Sequence, residues 1–155
     1  MELGVRILLV GRTERGHVEE GFQHYLRRCG RMASVEAVVL PEHSSGPPGQ
    51  RQRAEGERIL AALKPSERLI VLDERGELLS SVAFAARLGA WRDGGARQLA
   101  FAIGGAFGHA DEVRARADLR LSLSPMTFPH QLVRVLFAEQ LYRALMILNG
   151  RPYHH

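Results

Sequence analysis

The chain has 155 residues, of which 45% are hydrophobic and 25% charged; this suits one globular domain and excludes a wholly disordered polypeptide. Lys and Arg number 21 against 17 Asp and Glu, a formal charge of +4, and this mild basic excess permits an anionic partner such as RNA without requiring one. The single cysteine, Cys29, rules out an intrachain disulfide, which fits a cytoplasmic setting, and no apolar run approaches the ~20 residues of a membrane span.

The opening MELGVRILLVGRTERG has only a short apolar centre and no small-residue cleavage site, so it reads as a first strand and not as a signal peptide. In chain order, five apolar runs are predicted as strands: Val5 to Val10, Val35 to Leu40, Arg68 to Leu72, Leu99 to Ile103 and Leu119 to Leu123. Helical patterns fall between and after them, at about 15–29, 50–63, 80–92, 109–117 and 131–148. Alternating strand and helix predicts an α/β domain, 1–155, with a mostly parallel sheet flanked by helices. LIVL and LAFAI are continuously apolar, as strands covered on both faces are. LRLSL alternates, which predicts a less covered position for the last strand. PEHSSGPPGQ, 41–50, reads as a mobile loop, either a plain surface connection or a substrate lid.

Two strand ends carry chemistry-bearing turns. FAIGGAFGHADEV, 101–113, runs from an apolar strand into Gly104-Gly105 and then a helix. Glycine there permits either a tight turn or the close approach of a ligand, and α/β sheets bind ligands at the carboxyl ends of their strands. The pattern lacks the spacing of a dinucleotide or P-loop phosphate cradle. VLDERG, 71–76, has the same architecture, an apolar strand ending at Leu72 followed by charge and glycine. If the third, fourth and fifth strands are neighbours, Leu72, Gly104 and Leu123 meet at one edge and three loops form one pocket.

From Leu132 to Leu148 only Arg134, Glu139, Gln140 and Arg143 are strongly polar, so the helix is buried on more than one side. A second subunit in a twofold homodimer would supply that cover. Its charges are then paired or used; Glu139 and Arg143, four apart, can form an ordinary intrahelical pair. Just before this helix, SLSPMTFPH brackets Ser124 and Phe128 with Pro125 and Pro129, and both prolines push the preceding residue out of helical geometry. A stiff loop results, with backbone groups free to bind something and with Met126 and Phe128 as an apolar wall.

SPMTFPHQLVRVLFAEQLYRA, followed by the terminal PYHH, closely resembles the large-subunit rRNA methyltransferase H family of the SPOUT class. The resemblance extends through LLVG near the start, YLRR at 25–28, GERIL at 56–60, VLDERG and AIGG at 102–105. It implies a bacterial, cytoplasmic homodimer that uses S-adenosyl-L-methionine to methylate N3 of a pseudouridine in 23S rRNA, with the assembled ribosome as substrate and neither a metal nor a membrane involved. It also implies a SPOUT-type fold with a C-terminal trefoil knot, in which the proline-bracketed loop is one wall of the cofactor pocket. The implied cofactor contacts are Leu72, Gly104, Leu123, Ser124, Pro125, Met126, Thr127 and Phe128. The implied catalytic helpers, which assist loss of the N3 proton or stabilise charge on the flanking carbonyls, are His130, Arg134, Glu139, Arg143, Tyr153 and His154. Arg12, Arg15, Arg27 and Arg28 either meet RNA phosphates or form a solvated face. The alternatives are a SPOUT-type tRNA methyltransferase and a non-catalytic RNA- or nucleotide-binding α/β protein.

Overall fold

A computed structural model describes residues 2–153. Strands β1 (Gly4–Val10), β2 (Ser34–Leu40), β3 (Arg68–Leu78), β4 (Gln98–Ile103) and β5 (Leu119–Ser122) form one sheet in the order β2-β1-β4-β3-β5, with every adjacent pair parallel. Helices α1 (His17–Cys29), α2 (Pro48–Ala62), α3 (Ser81–Asp93), α4 (Asp111–Arg116) and α5 (His130–Leu148) alternate with the strands.

The continuous apolar runs sit where both faces are covered. In β4 every residue from Leu99 to Ile103 is buried. One face packs Ile7, Leu9, Phe101 and Leu121 against Phe22 of α1, Phe84 of α3 and Phe137 of α5. The other packs Leu8, Val10, Val71 and Ala102 against Ile59 of α2 and Val113 of α4. Both clusters remove large aliphatic and aromatic side chains from water, which is the main driving force for such a layered domain. β5 lies at one sheet edge but, against the expectation of a less covered strand, three of its four residues are buried; β2, at the other edge, is the less covered one.

Three further expectations need correction. The 41–50 loop ends early, because α2 begins at Pro48 with proline in the first turn, where its missing N–H costs nothing. The strand predicted to stop at Leu72 continues to Leu78. Its pairing with β5 is interrupted by a bulge: Leu72 and Glu77 both face Leu121, so Asp73 to Gly76 are extruded from the ladder. Gly76 is required there, since a Cβ would lie 2.6 Å from the Arg120 backbone. Finally, much of the second cover for α5 comes from α1 and α3 of the same chain. Leu132 nevertheless stays 38% exposed at its first turn. No described helix is long and apolar enough to cross a membrane.

Candidate active site

The sheet order makes β3 a neighbour of both β4 and β5, so the loops after Leu72, Ile103 and Ser122 converge at one end. Between them lies a cavity of about 480 Å3, within the size range of small-molecule sites. Seven of the eight expected cofactor contacts line it: Leu72, Gly104, Leu123, Ser124, Met126, Thr127 and Phe128. Pro125 does not, and is exposed. Ser122 Oγ donates to the Ser124 carbonyl at 2.9 Å, and Ser124 Oγ accepts from the Met126 N–H at 3.0 Å, which fixes the loop locally.

Gly104 is a glycine for a reason other than ligand approach. A Cβ there would sit 3.1 Å from the backbone of Gly108, which folds back over it. Gly105 and Gly108 form an isolated antiparallel bridge, and Gly108 takes φ +74°, a conformation that favours glycine. The turn is therefore held by its own backbone.

The cavity also has polar walls that the sequence did not single out. Asp73, on the extruded bulge, accepts from Arg114 Nε at 2.8 Å and from the Arg75 N–H at 3.0 Å. Burial opposes its ionisation, but these two donors outweigh it and hold the carboxyl below the usual carboxylate range. Glu74 Oε2 accepts from Thr127 Oγ1 at 2.8 Å, joining the bulge to the loop before α5. His109, 3% exposed, lines the floor, with Nε2 3.2 Å from the Ala102 carbonyl. Burial drives its pKa down to about 4. In the sequence Asp73 and Arg114 are 41 residues apart, and His109 opens a stretch that reads as an amphipathic surface helix. The one available signal was a histidine directly after a glycine turn at a strand end.

Of the expected catalytic helpers, His130 lines the cavity. Arg134 does not. It is fully buried, donating from Nη1 to the Gly11 carbonyl at 3.0 Å and to Thr13 Oγ1 at 2.9 Å, and from Nη2 to the Val10 carbonyl at 2.8 Å. It thus caps the carboxyl end of β1. Burial lowers its pKa from the ordinary arginine value. One turn earlier, Gln131 grips the same loop through the Glu14 N–H and the Arg12 carbonyl.

Glu139, Arg143 and Tyr153 form a separate cluster. Glu139 pairs with Arg143 at 2.9 Å and accepts from Tyr153 Oη at 3.2 Å. Gly150, at φ +63°, turns the chain back along α5, which brings the Tyr153 ring 4.7 Å from that of Tyr142 and places it under the Arg143 guanidinium. Burial and then the Glu139 charge push the Tyr153 phenol up to about 12. Glu139 also lines a second hollow of about 470 Å3, which shares Leu121, Leu123 and Phe128 with the first. The 123–128 loop is therefore a wall between two cavities. His154 lies outside the described residues. Among the described residues no three His, Cys, Asp or Glu side chains are grouped to hold a metal.

The fold is a doubly wound α/β sheet with a crevice at its strand ends, the place where such sheets bind small molecules. Residues 3–154 match the family model described as "Predicted SPOUT methyltransferase". The ribosomal RNA large subunit methyltransferase H of Geotalea daltonii is 46% identical over 152 residues, covering 97% of this chain and 99% of that one. The protein of the same name from Rhodospirillum centenum is 48% identical over 145 residues, 94% of each chain. In architecture the chain is similar to the SpoU methyltransferase AviRb of Streptomyces viridochromogenes, solved with AdoMet (TM-score 0.53, 16% identity, 97% of this chain and 60% of that one). It is also similar to a probable methylase family protein from Haemophilus influenzae (TM-score 0.56, 14% identity, 97% and 70%). The chain belongs to the SPOUT methyltransferases, and within them to the family of ribosomal RNA large subunit methyltransferase H.

Proposed function

We propose that this protein transfers a methyl group from S-adenosylmethionine to large-subunit ribosomal RNA, at N3 of a pseudouridine, as a cytoplasmic homodimer acting on the assembled ribosome. The observation that carries the reading is the convergence of seven motif residues on one nucleoside-sized crevice at the strand ends. The residues fit the cofactor. Leu72, Ile103, Phe128 and Val133 offer apolar walls for an adenine, while Ser124, Thr127 and the Asp73–Arg114 pair offer polar groups for a charged amino-acid tail.

The cofactor supplies a methyl already activated on a sulfonium sulfur. The chain's own work is therefore alignment and proton handling. Leu123 and Phe128 hold the crevice closed on the side of the second hollow. His130, at the cavity edge, is within the group of residues able to receive the N3 proton. Tyr153 retains its own proton at neutral pH, because its pKa is pushed up to about 12, so its role is to donate and to orient Glu139 and not to act as a base. In the dimer we propose, the C-terminal tail that carries Tyr153 completes the partner's site, and Arg134 acts by holding the loop that carries Arg12. A trefoil knot through the 123–130 segment would account for a wall that is stiff without a disulfide.

Transfer of labelled methyl from S-adenosylmethionine to whole ribosomes, free rRNA and tRNA tests this reading. Incorporation into ribosomes, recovered as N3-methylpseudouridine after nucleoside digestion, supports it. Incorporation into tRNA alone would replace it with the tRNA reading, and no incorporation anywhere would leave a binding protein.

A further inference from the structure

His109 reaches the cavity floor through the tight turn that precedes it. The Gly108 N–H donates to the Gly105 carbonyl at 3.1 Å, and the two glycines bridge, so the position of the next residue is fixed by backbone. The pairing of β3 with β4 ends at Val71 and Ala102. Beyond that point the strands part, and the imidazole sits over the gap with Nε2 3.2 Å from the Ala102 carbonyl. A carbonyl only accepts, so Nε2 carries the ring proton. Burial keeps the ring neutral, with a pKa of about 4, and a neutral imidazole has one proton. Nδ1 is then a bare acceptor. It is buried and makes no hydrogen bond of good geometry among the described residues, the Leu72 carbonyl being the other backbone acceptor near the ring. Buried polar atoms without partners are uncommon in folded proteins and call for an explanation, a bound ligand or water being the usual ones. Here the residue that carries the orphan atom also lines the crevice, beside Leu72 and Gly104.

We propose that His109 is a cofactor-contacting residue whose Nδ1 accepts a hydrogen bond from the nucleoside half of S-adenosylmethionine, through a ribose hydroxyl or the adenine amino group. The inference rests on the cofactor reading above. It adds an imidazole acceptor to the oxygens that Asp73, Glu74, Ser124 and Thr127 already present to this crevice, and it makes His109 a determinant of which nucleoside is taken.

The test uses the full chain labelled with 15N at histidine, titrated with S-adenosylhomocysteine, the His109 signals being assigned by comparison with His109→Leu. The expected result is an Nε2–H tautomer in the free protein and a displaced Nδ1 resonance at saturation, the direction being that of an acceptor gaining a donor. Calorimetry then identifies the donor. His109→Leu should bind S-adenosylhomocysteine about tenfold more weakly, the equivalent of one hydrogen bond. One analogue among the 2′-deoxy, 3′-deoxy and inosine forms should bind the two proteins alike. Binding with an unmoved Nδ1 would show that the atom is satisfied by water or by protein and would overturn the proposal while leaving the cofactor reading intact. No binding of S-adenosylhomocysteine at all would overturn both. If His109→Leu fails to fold, His109→Gln supplies the assignment instead, so the resonance experiment still decides the matter.

Discussion

Thr127 donates its hydroxyl proton to Glu74 across 2.8 Å, so the extruded β3 bulge and the loop before α5 are tied into one wall. Both residues line the cavity, and they are 53 positions apart in the chain. Glu74→Ala should weaken S-adenosylmethionine binding about fivefold by freeing the wall, an effect the size of one ordinary solvent-exposed hydrogen bond. Because the pair is exposed, stability should change by no more than about 0.5 kcal/mol. Calorimetry and thermal melting measure the two effects separately; unchanged affinity would mean that the wall is held by other contacts.

Arg134 separates a structural from a catalytic role. Arg134→Met would strip two buried carbonyls, on Val10 and Gly11, and the half-buried Thr13 hydroxyl of their donor. The expected loss is about 3 kcal/mol of unfolding free energy in urea titration. Arg134→Lys should recover only part of it, since an ammonium lacks the planar fork that spans these acceptors. Full stability with lost turnover would instead put Arg134 at the reacting atoms.

Acid should weaken the fold through His109. Its folded pKa, about 4, lies below the ordinary histidine value near 6.5. As pH falls from about 6.5 to 4 the unfolded chain takes a proton that the folded one refuses, so stability present above that window is lost within it. The shift corresponds to about 3 kcal/mol. Urea titrations across this range should show a steeper decline for the natural sequence than for His109→Phe; equal slopes would mean that the ring titrates normally.

Tyr153 returns along α5 to donate to Glu139. Truncation before Tyr153 should reduce methyl transfer far more than cofactor affinity, since Tyr153 is not among the residues lining the cavity. With the phenol pushed up to about 12, the pH–rate profile between about 7 and 9 should contain no limb that disappears in Tyr153→Phe. A limb lost in that variant would make the phenolate a base.

Much of this was legible in the sequence, because strands buried on both faces announce themselves as unbroken apolar runs. β4 and the start of β3 are such runs, and the proline-bracketed loop was marked by the two residues that forbid helix. What escaped notice was long-range. Nothing in DERGEL resembles a strand; it is held as one by resumed pairing at Glu77 and Leu78 and by the contact of Gly76 with the Arg120 backbone. Arg134 shows only as a charge in an apolar helix, and whether its partners are carboxylates, carbonyls or substrate is decided by where β1 ends. The Asp73–Arg114 pair and the floor position of His109 exist only once β3, β4 and α4 are packed together.

The most direct test of the account is a crystal of the protein grown with S-adenosylhomocysteine. Electron density for the nucleoside between Leu72, Gly104 and the 123–128 loop is the predicted result. Density at any other site, or a bound nucleoside absent while that crevice is filled by the chain's own side chains, would contradict it.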